Sequence, residues 1–437
     1  MKKQKHLLLF LLFLFSFPYL AGCNKKRSTI ITSLLSSKFP SDLDVPIISG
    51  SSRLNGSVAF VVQDEPFSII PVDTNTGTLS FQFPITDLSF LKPNNGSIYG
   101  SDLFIASENL GAVVYTGNDS SFNHITGVAI FNPSTGTFLS KINCAITVSN
   151  TSNYKALDYS SSTNSVSYRT VSTFTSSFAS GVVIIGNKLY VSTSNLDTSN
   201  YSTYYPGTVF VFDITSLTSP LYLATIFPGQ DGGDPTIRYF NPTQLTLYGS
   251  KILLTSSGAT EFDASFNSLA VSNGALEVID PSTNTVTASY NLGKAGLNGE
   301  EVKIYSSGTN NIAVIGSQVQ GHIYRVNLTT GTVMNSYTSN PIVVTSATTN
   351  EIISLSISQD QSYVFVASKA NSKIYVLSLS SLDTNPSSPT VVQTKDPIPG
   401  VTSLVSPSNL ETLVSQNNVQ RAIYTTGDPP TVGFVSQ

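Results

Sequence analysis

One short turn recurs along the chain and restricts its architecture more than any other feature. It reads DTNTG at Asp73–Gly77, NPSTG at Asn132–Gly136, DPSTN at Asp280–Asn284 and NLTTG at Asn327–Gly331, with a looser copy starting at Asp213. The leading Asp or Asn side chain accepts from the backbone two residues on, and the closing Gly or Asn takes the left-handed conformation that brings a hairpin together. Each copy follows two or three runs of five to eight residues rich in Val, Ile, Tyr, Phe and Thr, and one more run follows it. Such runs, bounded by Gly, Asn, Ser and Pro, are the signature of strands. Helical periodicity is almost absent.

The turns therefore punctuate a repeating unit of four strands. The step from Asp280 to Asn327 is 47 residues, the size of one four-stranded blade with tight turns; wider spacings elsewhere imply loop insertions. Units fall near 46–83, 97–142, 180–226, 242–290, 301–337, 352–394 and 400–437. The expected fold is all-β, a β-propeller of about seven four-stranded blades, with six or eight as alternatives. The first strand of the first unit, near Val45–Ser49, is the weakest, and this segment has a second possible role: pairing with the last blade to close the ring. The run Ser362–Leu379, SYVFVASKANSKIYVLSL within Gln361–Ser380, and the partial copy Lys188–Ser194 resemble repeats of the YVTN or YncE-like seven-bladed propellers. That resemblance implies a fold and no particular activity.

If strands are lettered A to D from the axis outward, the A–B and C–D turns share one end of the blades. The B–C loops and D–A crossovers share the other. The A–B and C–D turns read as short, whereas crossovers 143–179, 227–241 and 338–351 and B–C loops 107–126, 194–206 and 256–273 are long. Long loops on a rigid scaffold are where binding usually resides. Tyr115, His124, Tyr201, Tyr204, Tyr205 and Tyr239 are the candidate binding-face residues, because tyrosine offers large contact area at low entropic cost. The simpler alternative is that these rings cover their own loops. Asp231 and Asp234 in GQDGGDP form a weak calcium candidate, which lacks the spacing and the bidentate Glu of an EF-hand loop; a plain Gly-rich turn is the simpler reading.

Little points to catalysis. Beyond the first residues there are only His124 and His322, too few for a His-rich metal centre, and His322 lies in a strand. Glu300 and Glu301 are adjacent and would face opposite sides of a strand. No nucleophile elbow or phosphate loop is present. Tryptophan is absent, which separates the chain from propellers that bind quinone cofactors through Trp-bearing repeats. No catalytic residue and no cofactor is expected. The enzyme alternative is a propeller lactonase with carboxylates around an axial metal; a surface adhesin is a further one.

The N-terminus supplies an address. Lys2, Lys3 and Lys5 precede an apolar stretch from Leu7 to Phe17, followed by Leu20-Ala21-Gly22-Cys23. A charged start, a short apolar core and small residues before a cleavage point make a secretory signal. The run is shorter than the roughly 20 residues a spanning helix needs. The tetrad resembles the lipobox of bacterial lipoproteins, which implies cleavage after Gly22 and fatty acyl chains such as palmitate on Cys23. The chain then divides into a signal peptide (1–22), a lipidated tether (23–45) and the propeller (46–437). By resemblance to the enterobacterial lipoprotein sorting rule, Asn24 in place of the retention-type Asp implies the outer membrane. With Cys23 lipidated, Cys144 is left alone as a buried small hydrophobe. Charged residues make up 11% and net charge is −4, so no basic field invites nucleic acid. The expected function is a cell-envelope lipoprotein that binds a protein or glycan partner through its long-loop face.

Overall fold

The computed structural model describes residues 40–262, 268–297, 302–317, 319–344, 353–368, 371–396, 407–427 and 430–437. They form a β-propeller of seven antiparallel blades. Blade 1 comprises Pro40–Asp44, Val58–Asp64, Phe67–Asp73 and Thr86–Asp87, and blade 2 Ser97–Ser107, Leu110–Asn118, His124–Asn132 and Thr137–Asn143. Blade 3 is Ala179–Ile185, Lys188–Thr193, Thr208–Asp213 and Leu221–Ile226; blade 4 is Pro242–Tyr248, Lys251–Ser256, Gly274–Asp280 and Thr285–Gly293. Blade 5 has Lys303–Ser307, Asn310–Gly316, His322–Asn327 and an outer strand split into Thr332–Asn335 and Ile342–Val343. Blade 6 is Ile353–Ile357, Tyr363–Ser368, Lys373–Ser378 and Val391–Lys395, and blade 7 has three described strands, Pro407–Gln416, Val419–Gly427 and Pro430–Ser436.

The core is divided among the gaps between blades. In blade 3, Val182, Ile184, Leu189, Val191, Phe210 and Phe212 pack toward blade 2, while Val183, Tyr190, Val209 and Val211 pack toward blade 4. Side chains alternate across a strand, so a blade buried on both faces needs apolar residues at consecutive positions. This explains runs such as TVFVFD at Thr208–Asp213. The ring closes where Leu43, Ala59, Val61, Ile70 and Val72 of blade 1 meet Leu413, Ile423 and Val432 of blade 7. Arg421 of blade 7 donates to the Thr74 carbonyl at 2.8 Å across the same joint.

Around the axis, side chains of one A strand accept amides of the next. Asp42 and Asp44 accept from Leu103 and Ile105 at 2.7 and 2.9 Å. Asp102 accepts from Val182 at 2.5 Å and from Gln244 Nε2 at 2.8 Å, Thr246 from Val302 at 3.1 Å, and Ser354 from Leu410 at 3.1 Å. This belt explains one correction. The first A strand is Pro40–Asp44, not a segment near Val45–Ser49, and it lies inside the stretch read as tether. Its inward-working positions are aspartates serving the neighbouring blade, so it has none of the apolar pattern of a core strand.

The recurring turns behave as their chemistry requires. Asp73 Oδ1 accepts from the Asn75 and Thr76 amides at 2.8 Å, and Asn327 Oδ1 from Thr329 and Thr330 at 3.0 Å. Gly77 and Gly331 close them with φ of +70°, and Asn284 does so at +54°. The end that carries them is less uniform than its sequence suggests. The A–B connection of blade 1 runs 45–57, its C–D connection 74–85, and that of blade 6 holds a short helix, Leu379–Thr384.

Candidate functional site: a lid built from four connections

Four long connections of blades 2 to 4 emerge at the same end and assemble into a lid. The crossover after blade 2 contains the hairpin Lys155–Ser160/Ser165–Thr170 and the pair Thr147–Ser149/Thr173–Thr175. Thr203–Tyr204, from the B–C loop of blade 3, adds to this hairpin with Leu157 opposite Tyr204 and Asp158 opposite Thr203. The B–C loop of blade 4 contributes the pair Thr260–Phe262/Ser268–Ala270. The crossover before blade 4 is tied in by the Lys155 amide donating to the Thr236 carbonyl at 2.9 Å.

The lid has its own apolar core of Leu157, Tyr159, Tyr204, Phe240, Ala259 and Val271. The Tyr204 hydroxyl donates to the Thr260 carbonyl at 2.6 Å, and that of Tyr159 to Asn164 Oδ1 at 3.1 Å. Burial beside Tyr204 pushes the Glu261 carboxyl up to about 7. On the outside, Ser165–Thr170 is the edge strand of the three-stranded lid sheet, with Tyr168 40% exposed. Arg169 Nε donates to Asp158 Oδ2 at 2.9 Å, and Thr203 Oγ1 to Asp158 Oδ1 at 2.6 Å, bracing the outer surface.

The six candidate residues are distributed unevenly. Tyr204 is in the lid core and Tyr239 is buried, its amide donating to the Gly229 carbonyl at 3.1 Å. Half-buried Tyr205 stacks on Phe174 at 5.4 Å, and its hydroxyl donates to Asp197 Oδ2 at 3.1 Å. Tyr201 is half-buried in a left-handed turn, φ +55°. His124 opens the C strand of blade 2. Its Nε2 accepts from the Phe178 amide at 3.2 Å with the rings 4.1 Å apart, and burial lowers its pKa to about 4.

Tyr115 is a correction. It lies in the B strand of blade 2, packed in the gap with blade 1 and 6.4 Å from Phe67, and the loop read at 107–126 shrinks to 119–123. The loop-like signals were glycines. A Cβ on Gly111 would sit 2.6 Å from the Phe131 ring, and one on Gly117 would be 2.0 Å from the Ser97 carbonyl oxygen. Both mark close approaches inside a sheet.

The calcium candidate is engaged by protein donors. Asp231 Oδ1 accepts from Asn273 Nδ2 at 2.7 Å, and Asp234 Oδ2 from Lys155 Nζ at 2.8 Å. Among the described residues, no group of three or more His, Cys, Asp or Glu side chains is placed to hold a metal ion. Cys144 is fully buried, and desolvation raises its thiol to about 12. Cys23, Glu300 and Glu301 lie outside the described residues. No described helix is long and apolar enough to cross a membrane.

Two polar centres escaped the sequence reading. Under the lid, fully buried Glu277 accepts from the Gly229 amide, from Ser256 Oγ at 2.7 Å and from Ser289 Oγ at 3.1 Å. In blade 5, buried Arg325 donates to Asp383 Oδ1 at 2.7 Å, Tyr305 OH at 2.9 Å and Asn335 Oδ1 at 2.8 Å. The signal available for each was a charged residue inside an otherwise apolar strand, GALEVID and HIYRVN.

No protein-family model matches the sequence, and no curated protein matches it. Among solved structures the chain is similar to Kuenenia stuttgartiensis hydrazine synthase, at 10% identity and TM-score 0.55 over 96% of this chain and 99% of that one. It is also similar to the Pseudomonas aeruginosa periplasmic gluconolactonase PpgL, with 11% identity, TM-score 0.49 and coverage of 92% and 95%. A third is the Myceliophteria thermophila Cps50 (Swd1) β-propeller domain, with 8% identity, TM-score 0.47 and coverage of 91% and 96%. At these identities the likeness concerns architecture alone, and the β-propeller with seven blades is read from the chain's own sheets.

Proposed function

We propose that the protein is a lipid-anchored component of a bacterial cell envelope, on the outer membrane, whose propeller presents its lid to a protein partner and performs no chemistry of its own. The anchor rests on the sequence: charged start, short apolar run and Leu20-Ala21-Gly22-Cys23. With two or more acyl chains, each buried methylene adding about 0.8 kcal/mol, such an anchor is stable. The binding role rests on one observation, that four connections converge at one end into a lid with its own core. Four lid carboxylates, Asp158, Asp197, Asp231 and Asp234, are occupied by protein donors, while a fifth, Glu261, is buried beside Tyr204. The exposed edge with Tyr168 and Arg169 then offers the residue types that dominate protein interfaces.

Two measurements test this. Labelled palmitate should enter the wild-type protein and not Cys23→Ala. A photo-crosslinking residue at position 168 in the membrane-bound protein should yield a discrete adduct with an envelope protein, which Arg169→Ala weakens at least tenfold. The same probe at Tyr222, on the exposed outer strand of blade 3, should yield none. Labelling of Cys23→Ala would refute the anchor; identical adducts at both positions, or none at 168, would refute the lid as the binding face.

A further inference from the structure

One proton ties two loops of the lid together. Tyr204, in the B–C loop of blade 3, is fully enclosed in the lid core, and its hydroxyl donates to the Thr260 carbonyl in the B–C loop of blade 4 at 2.6 Å. A phenol has a single proton to give, so its oxygen can otherwise only accept. The next residue, Glu261, lies opposite Leu269 in the pair Thr260–Phe262/Ser268–Ala270, and its carboxyl meets the same phenol. Glu261 Oε1 is enclosed, and among the described residues no donor reaches it.

The protonation state of Glu261 decides whether this arrangement is self-consistent. As the acid, Glu261 donates to the phenol oxygen while Tyr204 keeps its own proton on the Thr260 carbonyl. As the carboxylate, it brings only acceptors to an enclosed site. It then either faces the phenol lone pairs or draws the Tyr204 proton away from Thr260, and both weaken the tie between the loops. Among the described residues no cation is paired with it. Lys155 is held by Asp234 at 2.8 Å and Arg169 by Asp158 at 2.9 Å, while Arg238 stacks on Tyr154 at 4.2 Å and donates to its hydroxyl at 2.7 Å. The Tyr159 hydroxyl donates to Asn164 Oδ1 at 3.1 Å and lies 3.4 Å from the Phe262 carbonyl. Asp158, Asp197, Asp231 and Asp234 have their own donors, Glu277 is bonded to Gly229, Ser256 and Ser289, and Asp263 lies outside the described residues.

We propose that Glu261 is a proton-operated latch: protonated, it holds the B–C loops of blades 3 and 4 closed on the hairpin Lys155–Ser160/Ser165–Thr170, and ionised, it releases them. Burial sets the direction, because it raises the carboxyl from 4.5 to about 7. Below 4.5 the closed lid carries no penalty. The penalty grows as pH rises from 4.5 and is complete above about 7, so the lid loosens toward the alkaline side. The latch is a property of the lid itself and holds independently of the lipid anchor and of any partner.

Amide exchange of the full chain, corrected for the intrinsic rate at each pH, tests the latch. The reporters are the Tyr159 amide, which donates to the Ser202 carbonyl at 2.9 Å, and the Val271 amide, which donates to Ala259 at 2.8 Å. Between pH 5 and pH 8 their corrected exchange in the wild type should rise by about tenfold or more, as a carboxyl carried from 4.5 to about 7 requires. In Glu261→Gln both should stay slow at either pH, while the Val113 and Val128 amides of blade 2 match the wild type at each pH. Glu261→Met, of similar size and equally unable to ionise, should behave the same and serves if the Gln variant fails to fold. Asp231→Asn, which removes a different lid carboxylate, should keep the rise. No rise in the wild type, an undiminished rise in Glu261→Gln and Glu261→Met, or a rise lost only in Asp231→Asn would each overturn the proposal. A lid that responds as expected but gives no adduct at position 168 would refute the binding face and leave the latch standing.

Discussion

Buried ionisable residues decide how this fold responds to pH, and they act in opposite directions. Asp64 accepts from the Gly100 amide at 2.8 Å, yet burial raises its pKa from 3.8 to about 7. Folding must therefore bury a charge that the unfolded chain solvates; this cost is absent below about 3.8 and grows as pH rises toward 7, reaching of order 3 kcal/mol. His124 is the reverse. Its folded pKa of about 4 lies below the ordinary 6.5, so the stability it contributes is present above 6.5 and is lost as pH falls toward 4, where protonation sets a donor against the Phe178 amide. Asp64→Asn keeps an acceptor for Gly100 and removes the buried charge. We expect this variant to be about 1–3 kcal/mol more stable than wild type at pH 8. The advantage should vanish by pH 4, because the variant retains the His124 loss without the compensating relief at Asp64. Thermal melts at pH 8, 6 and 4 check this; an advantage independent of pH would contradict the assignment.

At the scale of the element, the hairpin turns are where chain and structure agree most closely. The DTNTG, NPSTG, DPSTN and NLTTG turns are local, since their side-chain acceptor and left-handed closing residue lie within five positions, although distant groups such as Arg421 at Thr74 and Tyr190 at Asn284 also reach them. Gly331→Val places a β-branched residue at φ +70° and should cost about 1–2 kcal/mol, whereas Gly331→Asn, the residue type that closes the same turn at position 284 with φ +54°, should change stability by less than about 0.5 kcal/mol. Chemical denaturation of the two variants separates these outcomes; equal costs would mean that the turn is not under conformational control. Two other elements were illegible for the opposite reason. Pro40–Asp44 is a strand because Asp42 and Asp44 serve amides in blade 2, and the B strand of blade 2 tolerates Gly111 and Gly117 because Phe131 and the Ser97 carbonyl approach them. Each depends on a partner strand that its own sequence does not reveal.

For the whole molecule the propeller and its lid are separable in energetic terms. The blades hold together through apolar gaps repeated around the ring, whereas the lid hangs on one small cluster in which Tyr204 bridges two loops and the hairpin. Tyr204→Ala removes a buried ring from that cluster, worth about 3 kcal/mol in a core. We expect the lid to open to limited proteolysis within 194–207 and 257–273 while the main melting transition stays within a few degrees of wild type. Loss of the main transition would mean that the lid is part of the propeller core. It also follows that trimming 194–206 would dismantle the lid and not merely shorten a loop, so the binding face is better tested by surface substitutions.

What the chain determined by itself was everything that repeats at short range: strand runs, turn chemistry, seven units, and the placing of the longest connections at one end of the blades, though others of 12 or 13 residues lie at the opposite end. What only the tertiary structure decided was which of those connections join. Tyr204 and Leu157 are distant in sequence and become neighbours because two blades bring their ends together; Glu277 is buried because the Gly229 crossover folds over it. The apolar pattern records that both faces of a blade strand are buried, since consecutive side chains must then be apolar. It carries no record of what lies opposite, since one apolar or hydroxyl-bearing partner satisfies that demand as well as another. The repeat was therefore legible and the lid was not.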